Sequence, residues 1–179
     1  FLRIAMSFDS IKNFVMYNLA ELSVSYAKSP IVKVLGEKTK FHVGELLMNF
    51  PLLDAQTKEK RELQQVTQGT LHHLLLFVGL ADNNALSAFA ELAATVTQQF
   101  KGLIKTHIIL PHSGMNIADK GISILIDEHQ KMYQRFKISQ PTVVLIRPDK
   151  YIGLTQMPVN KEELMEYLEH TYFLTSSKI

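Results

Sequence analysis

The chain has 179 residues, of which 46% are hydrophobic and 20% are charged, and its formal net charge is +2. These values are typical of one globular domain with an appendage. The lysines and arginines are scattered along the sequence, which excludes the clustered basic surface of most nucleic-acid-binding proteins. The longest apolar stretch, Leu74 to Ala81, is far too short to span a bilayer. We therefore expect neither nucleic acid nor a membrane among the partners.

Cysteine is absent from the sequence, which excludes disulfide bonds, thiolate metal sites and thiol catalysis by this chain. A reducing compartment is consistent with that composition, and we expect a cytoplasmic protein. The chain begins at Phe1, and residues 1–6 lack the long apolar core of a secretory signal. We interpret it as a fragment whose parent protein extends further on the N-terminal side.

The first part of the sequence predicts a helix followed by an irregular connector. Apolar side chains recur at helical spacing from Ile11 to Leu22, and Pro30 ends the pattern. Residues 31–70 contain scattered glycines, a proline and a charged run at 58–62. We expect this segment to wrap the following domain, with a short helix possible near Thr57 to Val66.

A strand, a helix and a second strand follow. The segment Leu71 to Val78 contains an unbroken apolar run and predicts a strand buried on both faces. Asn83 or Asn84 caps a predicted helix that Gly102 ends, and Ile104 to Leu110 predicts the next strand. The residues on the apolar face of this helix are Leu86, Phe89, Leu92, Ala93, Val96 and Phe100.

The second half contains a weak short helix at Asn116 to Gly121, a strand or buried loop at Ile122 to Ile126, and a helix at Glu128 to Phe136. The inward residues of that helix are Met132, Tyr133 and Phe136.

A hairpin and a helix complete the pattern. Pro141 opens a strand that runs from Thr142 to Ile146, a turn at 147–150 follows, and a second strand starts at Tyr151. Asn160 and Glu163 form a predicted capping box. The inward residues of the last helix are Leu164, Met165, Leu168 and Tyr172. The order βαβ, connector, ββα predicts an α/β protein with a thioredoxin-like fold, in which helices flank a central mixed sheet, with an N-terminal helical extension.

In this fold the reactive thiol lies where the first strand of the βαβ unit meets its helix, because the helix N-terminus stabilises a thiolate. Here that junction runs from Gly79 to Asn84 and contains neither cysteine nor serine. Asp82 is better explained as a capping carboxylate, and we assign no catalytic residue. Pro141 stands where the fold carries a cis-proline; we expect a structural role for it, with the cis bond as a hypothesis that rests on position alone.

The remaining polar residues predict no metal or cofactor site. His72 and His73 are adjacent on a strand and point to opposite faces, and His107 and His112 lack helical spacing. Glycine-rich phosphate loops and a GxSxG serine elbow are both absent. Arg147 and Asp149 can pair across the turn, but the turn itself explains their presence better than catalysis does.

Residues 145–153, reading LIRPDKYIG, closely resemble the LVRPDGYIGW-type segment near the C-terminus of FAD-dependent aromatic hydroxylases of the phenol hydroxylase group. Residues 22–30 and 43–52 are similar to that family's Y-x-x-S-P and G-x-R-x-P segments, and residues 71–79 to its first strand. The sequence departs from the family at Leu46, Met48 and Lys150, where the family has Arg, Pro and Gly.

The resemblance implies the C-terminal thioredoxin-like domain of a flavoprotein monooxygenase, with a structural and dimerising role. Residues 1–30 are then a helical remnant of the preceding substrate domain, 31–70 the connector and 71–179 the domain. FAD and NAD(P)H belong to missing N-terminal parts, the flavin and substrate domains of the same chain are the partners, and a homodimer is expected. The structural motif residues are Pro141, Arg147, Pro148, Asp149, Tyr151 and Gly153.

Two further functions follow from the residues. One is a stand-alone thioredoxin-fold interaction module without catalytic activity, which binds a peptide in the groove at Pro141. The other, an active peroxidase or reductase, is nearly excluded by the composition.

Overall fold

The computed structural model describes residues 32–80, 83–113 and 121–173. The predicted helix from Ile11 to Leu22, the carboxylate of Asp82 and nearly all of the short helix expected from Asn116 lie outside these ranges. Within them the strands are β1 (Lys33–Gly36), β2 (Pro51–Asp54), β3 (Lys60–Glu62), β4 (His72–Phe77), β5 (Ile104–Leu110), β6 (Ser123–Ile126), β7 (Thr142–Ile146) and β8 (Ile152–Met157). The helices are α1 (Leu63–Val66), α2 (Asn83–Gln99), α3 (Lys131–Phe136) and α4 (Lys161–Tyr172). None of the described helices is long and apolar enough to cross a membrane.

The described strands form one mixed sheet in the order β1-β8-β7-β4-β5-β6-β2-β3. Strands β4, β5 and β6 are parallel, whereas β7 is antiparallel to both β4 and β8. The two apolar runs of the sequence therefore lie side by side, with Leu74 opposite Leu145. This arrangement confirms the predicted thioredoxin-like fold.

Alternate side chains of the central strands enter two different apolar layers. On the α2–α4 face, Leu74 and Leu76 pack with Phe89 of α2 and Leu164 of α4. On the α3 face, the intervening side chains of β4 pack with α3 and with residues 41–63. Both layers are buried, and each fully buried leucine contributes about 2 kcal/mol by its removal from water.

The segment predicted as an irregular connector is part of the sheet instead. Strand β1 pairs with β8, and the β2–β3 hairpin pairs with β6. These strands are only three or four residues long, and their partners are distant in the sequence, so no local periodicity reveals them. The short helix expected near Thr57 to Val66 is confirmed only at α1, because residues 60–62 form β3.

The described helices follow the predicted faces, with one change at a boundary. All residues of the predicted apolar face of α2 are buried. Helix α3 begins at Lys131 rather than at Glu128, because the buried carboxylate of Asp127 accepts hydrogen bonds from the backbone at this point. At the start of α4, the side chain of Asn160 accepts from the Glu163 N–H at 3.0 Å. The Glu163 carboxylate accepts from the side chain of Gln156.

The geometry of the turn between β7 and β8 accounts for the residues that occupy it. The Lys150 N–H donates to the Arg147 carbonyl at 2.9 Å, and the Arg147 guanidinium pairs with Asp149 as predicted. Lys150 has a φ of 72°, a left-handed conformation that favours glycine. Its ammonium group donates to the backbone carbonyl of Thr67 and so ties the turn to the end of α1.

Candidate functional site

The junction between β4 and α2, where the predicted fold led us to expect a reactive thiol, lies directly against the loop that precedes β7. A Cβ built on Gly79 would be 2.9 Å from Gln140 Cα and 3.0 Å from Pro141 Cδ. The Leu80 N–H donates to the Ser139 carbonyl at 3.3 Å. The cis peptide bond of the described residues precedes Pro158, and the Gln140–Pro141 bond is trans. The cis hypothesis for Pro141 is therefore wrong, and the bond has the geometry that most X–Pro bonds adopt.

We expect Gly79→Ala to destabilise the protein by about 2 kcal/mol, because the added methyl group meets backbone and ring atoms that cannot rotate away. The matched control is Gly153→Ala, whose Cβ would contact the flexible side chain of Arg147 at 3.2 Å. The measurement is urea unfolding of both variants. Equal stability of the two variants would show that the junction and the loop are not in tight contact.

Beneath the junction, α3 is hydrogen-bonded to the carboxyl ends of β4 and β5. The buried Tyr133 hydroxyl lies 2.7 Å from the Val78 carbonyl and 2.8 Å from the Ile109 carbonyl. Burial raises the pKa of Tyr133 above its ordinary value, so this hydroxyl stays neutral and donates. The carboxylate of Asp127 accepts three N–H groups of the first turn of α3, at 2.7 to 3.1 Å.

A groove on the α3 face adjoins the Pro141 loop, and we call it the cationic groove. It consists of two neighbouring cavities of about 280 and 170 Å³ that share Lys40, Phe136 and Lys137. The ring of Phe136 stacks on Phe41 with a centroid separation of 3.8 Å. The side chains that give the groove its charge are Lys38, Lys40, Arg135 and Lys137, with the carboxylate of Glu45 at one end.

The cationic groove extends to the junction along the loop that precedes β7. Ile138 and Thr142, which stand at the two ends of the loop before β7, line its second cavity. The sequence did not reveal this cluster, because its cations come from residues 38–40 and 135–137. Only the packing of these two segments against each other concentrates their charge.

A buried polar chain lies at the opposite end of the α3 face. His73 Nδ1 is 2.9 Å from His107 Nε2, and His107 Nδ1 is 2.8 Å from the Ser123 hydroxyl. Burial, together with the cationic side chains of Lys150 and Lys105, lowers the pKa of His73 to about 4. Burial and the neighbouring His73 lower the pKa of His107 to about 3. Both rings are therefore neutral at pH 7.

No histidine cluster is evident in the amino-acid sequence, because these rings belong to different strands. His72 and His73 do point to opposite faces, as predicted: the ring of His72 lies edge-on to Tyr172, 5.0 Å between centroids. In the described ranges, no group of three or more metal-ligating side chains converges. The absence of catalytic, cofactor-binding and metal residues stays a prediction.

The six residues singled out as a structural motif do not come together. Pro141 lies at the junction end of the sheet, beside Gly79. Arg147, Asp149 and their neighbours form the hairpin turn beyond the other end of β7. The six residues therefore consist of one turn with its neighbours and one separate proline, and they do not form a single site.

Comparison with known proteins gives structural likeness only. No protein-family model matches the chain, and no curated protein matches it. A structure described as a thiol:disulfide interchange protein DsbE from Chlorobium tepidum aligns with a TM-score of 0.58 and 13% identity, over 73% of this chain and 98% of that one. Thiol peroxidase from Chromobacterium violaceum aligns at 0.53 and 14%, over 79% and 91% of the two chains. Peroxiredoxin Q from Xanthomonas campestris aligns at 0.56 and 10%, over 68% and 92%.

These comparisons correct the expected identity. These three neighbours are described as thiol–disulfide and peroxide proteins, so the interpretation as a C-terminal domain of a FAD-dependent aromatic hydroxylase is wrong. The expected partners, flavin and substrate domains of the same chain and a homodimer, depended on that interpretation and are corrected with it. The LIRPDKYIG segment has a local explanation in the hairpin turn. FAD and NAD(P)H, which only the resemblance implied, stay untested.

The alternative of an interaction module without catalytic activity is corrected as well. The three neighbours named above are described as a thiol:disulfide interchange protein, a thiol peroxidase and a peroxiredoxin, whereas this chain contains no cysteine.

Proposed function

We propose that this protein binds a small peptide thiol or its disulfide, with glutathione as the reference compound, in the cationic groove beside the junction. The sulfur of the ligand then takes part in thiol–disulfide or peroxide chemistry in place of a cysteine of the protein. The observation that carries the proposal is the group of four cations that lines a groove next to the Pro141 loop.

The charge of the groove suits such a ligand. Glutathione carries two carboxylates and a net negative charge, and the groove presents four cations against the carboxylate of Glu45. The cations are exposed, so each pairing contributes only about 0.2 to 1 kcal/mol and weakens as salt is added. The apolar floor formed by Leu47, Phe136 and Ile152 adds contact area for the body of the peptide. A dissociation constant on the order of 0.1 to 1 mM is expected.

The position of the groove suits the chemistry of the neighbouring structures. Its wall includes Thr142, and Phe77, the last residue of β4, pairs with Thr142 across the sheet. A ligand held by its carboxylates in the groove can therefore extend its sulfur over the loop toward Gly79. Under this proposal the protein works in the cytoplasm, where small thiols are kept reduced.

The test is isothermal titration of the purified protein with reduced glutathione and with glutathione disulfide. We expect binding that Lys40→Glu weakens by about two- to thirtyfold, because charge reversal replaces one weak pairing with a repulsion of similar size, and that added salt also weakens. The matched control is Lys161→Glu, which reverses an exposed charge at the start of α4 and leaves the affinity unchanged. Absence of binding, or equal affinity in the two variants, would contradict the proposal.

A further inference from the structure

The two cavities of the cationic groove adjoin each other, and different residues line their outer ends. On one wall Lys38 lines only the smaller cavity, of about 170 Å³, Lys40 lines both, and His42 lines only the larger, of about 280 Å³. The opposite wall runs in the other direction, since Arg135 lines only the larger cavity and Ile138 only the smaller. The groove is therefore elongated, with one cation at each end and further cations between them.

Backbone hydrogen bonds hold both walls in position. On the first wall the Phe41 N–H donates to Thr39 Oγ1 at 3.1 Å, and the Phe41 ring is buried. On the second wall the Ile138 N–H donates to the Tyr133 carbonyl at 2.9 Å. Lys137, the C-cap of α3, has a φ of 52°, a left-handed conformation that favours glycine. The middle of the groove therefore contains a cation at a position where glycine would suit the backbone better.

The two cavities differ in the charges that they present. Glu45 lines the larger cavity together with Arg135, so a ligand with both an ammonium group and carboxylates finds partners of both signs there. The cationic residues of the smaller cavity are Lys38, Lys40 and Lys137, and none of the described residues around it is acidic. Reduced glutathione, which has charged groups of both signs, suits the larger cavity. The smaller cavity suits the carboxylate end of a second glutathione unit.

We propose that the preferred ligand of the cationic groove is glutathione disulfide, with one half in each cavity and the S–S bond over the boundary formed by Phe136 and Lys137. This inference rests on the proposed glutathione-binding function. The Cβ atoms that a disulfide joins are only about 3.8 Å apart, so its two halves require adjoining cavities. These two cavities adjoin, because both are lined by Lys40, Phe136 and Lys137. Reduced glutathione then occupies the larger cavity alone.

The covalent link between the halves determines the expected preference. Once one half is bound, the link holds the other half near its cavity at an effective concentration on the order of 10 mM. One half by itself binds with a dissociation constant of about 1 mM, because its exposed pairings are weak. The ratio of these concentrations is about ten. We therefore expect the disulfide to bind about tenfold more tightly than the thiol.

The test is isothermal titration of the unmodified protein and of two variants with reduced glutathione and with glutathione disulfide. Lys38→Glu reverses an exposed charge that lines only the smaller cavity. It should weaken disulfide binding about fivefold and thiol binding by less than about twofold. The matched control is Arg135→Glu, in the larger cavity, which should weaken the binding of both ligands to a similar extent.

Nuclear magnetic resonance of the unmodified protein gives a second readout that needs no variant. We expect reduced glutathione to shift the backbone amide signals of His42 and Arg135, and the disulfide to shift those of Lys38 and Ile138 as well. Equal affinity for thiol and disulfide, the same loss of both in Lys38→Glu, or unshifted Lys38 and Ile138 signals with the disulfide would overturn this inference and leave glutathione binding intact. Absence of binding by either ligand would overturn the proposed function and this inference together.

Discussion

Asp127→Ala is expected to destabilise the protein by about 3 kcal/mol, one of the largest effects of a single substitution in this molecule. The carboxylate of Asp127 is fully buried and accepts the N–H groups of Lys131, Met132 and Tyr133. Alanine leaves those three donors without a partner at the start of α3, where Met132 and Tyr133 are buried. Loss of α3 from the sheet would also separate the Tyr133 hydroxyl from the carbonyl groups under the junction.

The measurement is chemical denaturation of Asp127→Ala, Asp127→Asn and a matched control. Asparagine retains one acceptor oxygen, so its cost should be about half that of alanine. Asp54→Ala is the control, because Asp54 also accepts two backbone N–H groups, from Gln56 and Thr57, but in an exposed turn. A cost for Asp127→Ala no greater than that for Asp54→Ala would mean that these hydrogen bonds do not hold α3 in place.

Acidification is expected to destabilise the fold between about pH 6.5 and pH 4, through His73 and His107. In the unfolded chain both side chains bind a proton near pH 6.5. In the folded protein burial lowers the two pKa values to about 4 and about 3. Between these limits the unfolded state binds more protons than the folded state, so the free energy of unfolding falls as the pH falls. The stabilisation is fully present above pH 6.5 and is progressively lost below it.

The neighbouring groups strengthen this expectation, because Lys105, Lys150 and His72 all oppose a positive charge on the pair. Urea unfolding at a series of pH values measures the effect, and His112→Gln, at an exposed histidine, should leave its pH dependence unchanged. Nuclear magnetic resonance of the histidine rings gives a direct check. If the signals of His73 and His107 titrated near pH 6.5 in the folded protein, the pair would not be the source of acid sensitivity.

The resemblance to flavin-dependent hydroxylases was misleading, because the residues of a short motif are determined mainly by the local backbone geometry. Such a motif can therefore recur in proteins that do not share a function. Residues 147–150 form a turn in which Lys150 occupies a left-handed conformation. Gly153 lies so close to the Arg147 side chain that a Cβ would be 3.2 Å from its Cγ. Any hairpin with this geometry favours similar residues at these positions. The thioredoxin-like fold that accompanied the resemblance was nevertheless correct.

The amino-acid pattern alone was sufficient for the elements whose information is local. The apolar run ending at Val78, the helical periodicity from Leu86 to Phe100 and the proline and turn around β7 all specified secondary structure and burial within short windows. Given the order of these elements along the chain, only a few strand topologies were compatible with a sheet that has helices on both faces. The lack of cysteine excluded thiol catalysis by this chain without any coordinates.

Tertiary structure was needed wherever the interacting groups are far apart in the sequence. His73 meets His107 only because β4 and β5 are parallel neighbours with a fixed register, and Ser123 joins them only through the pairing of β5 with β6. The four cations of the groove come from segments about a hundred residues apart. Periodicity reports which face of an element is buried, but it contains no information about which other element covers that face. Strand pairing and side-chain packing supply that information, and both the cationic groove and the buried histidine pair depend on it.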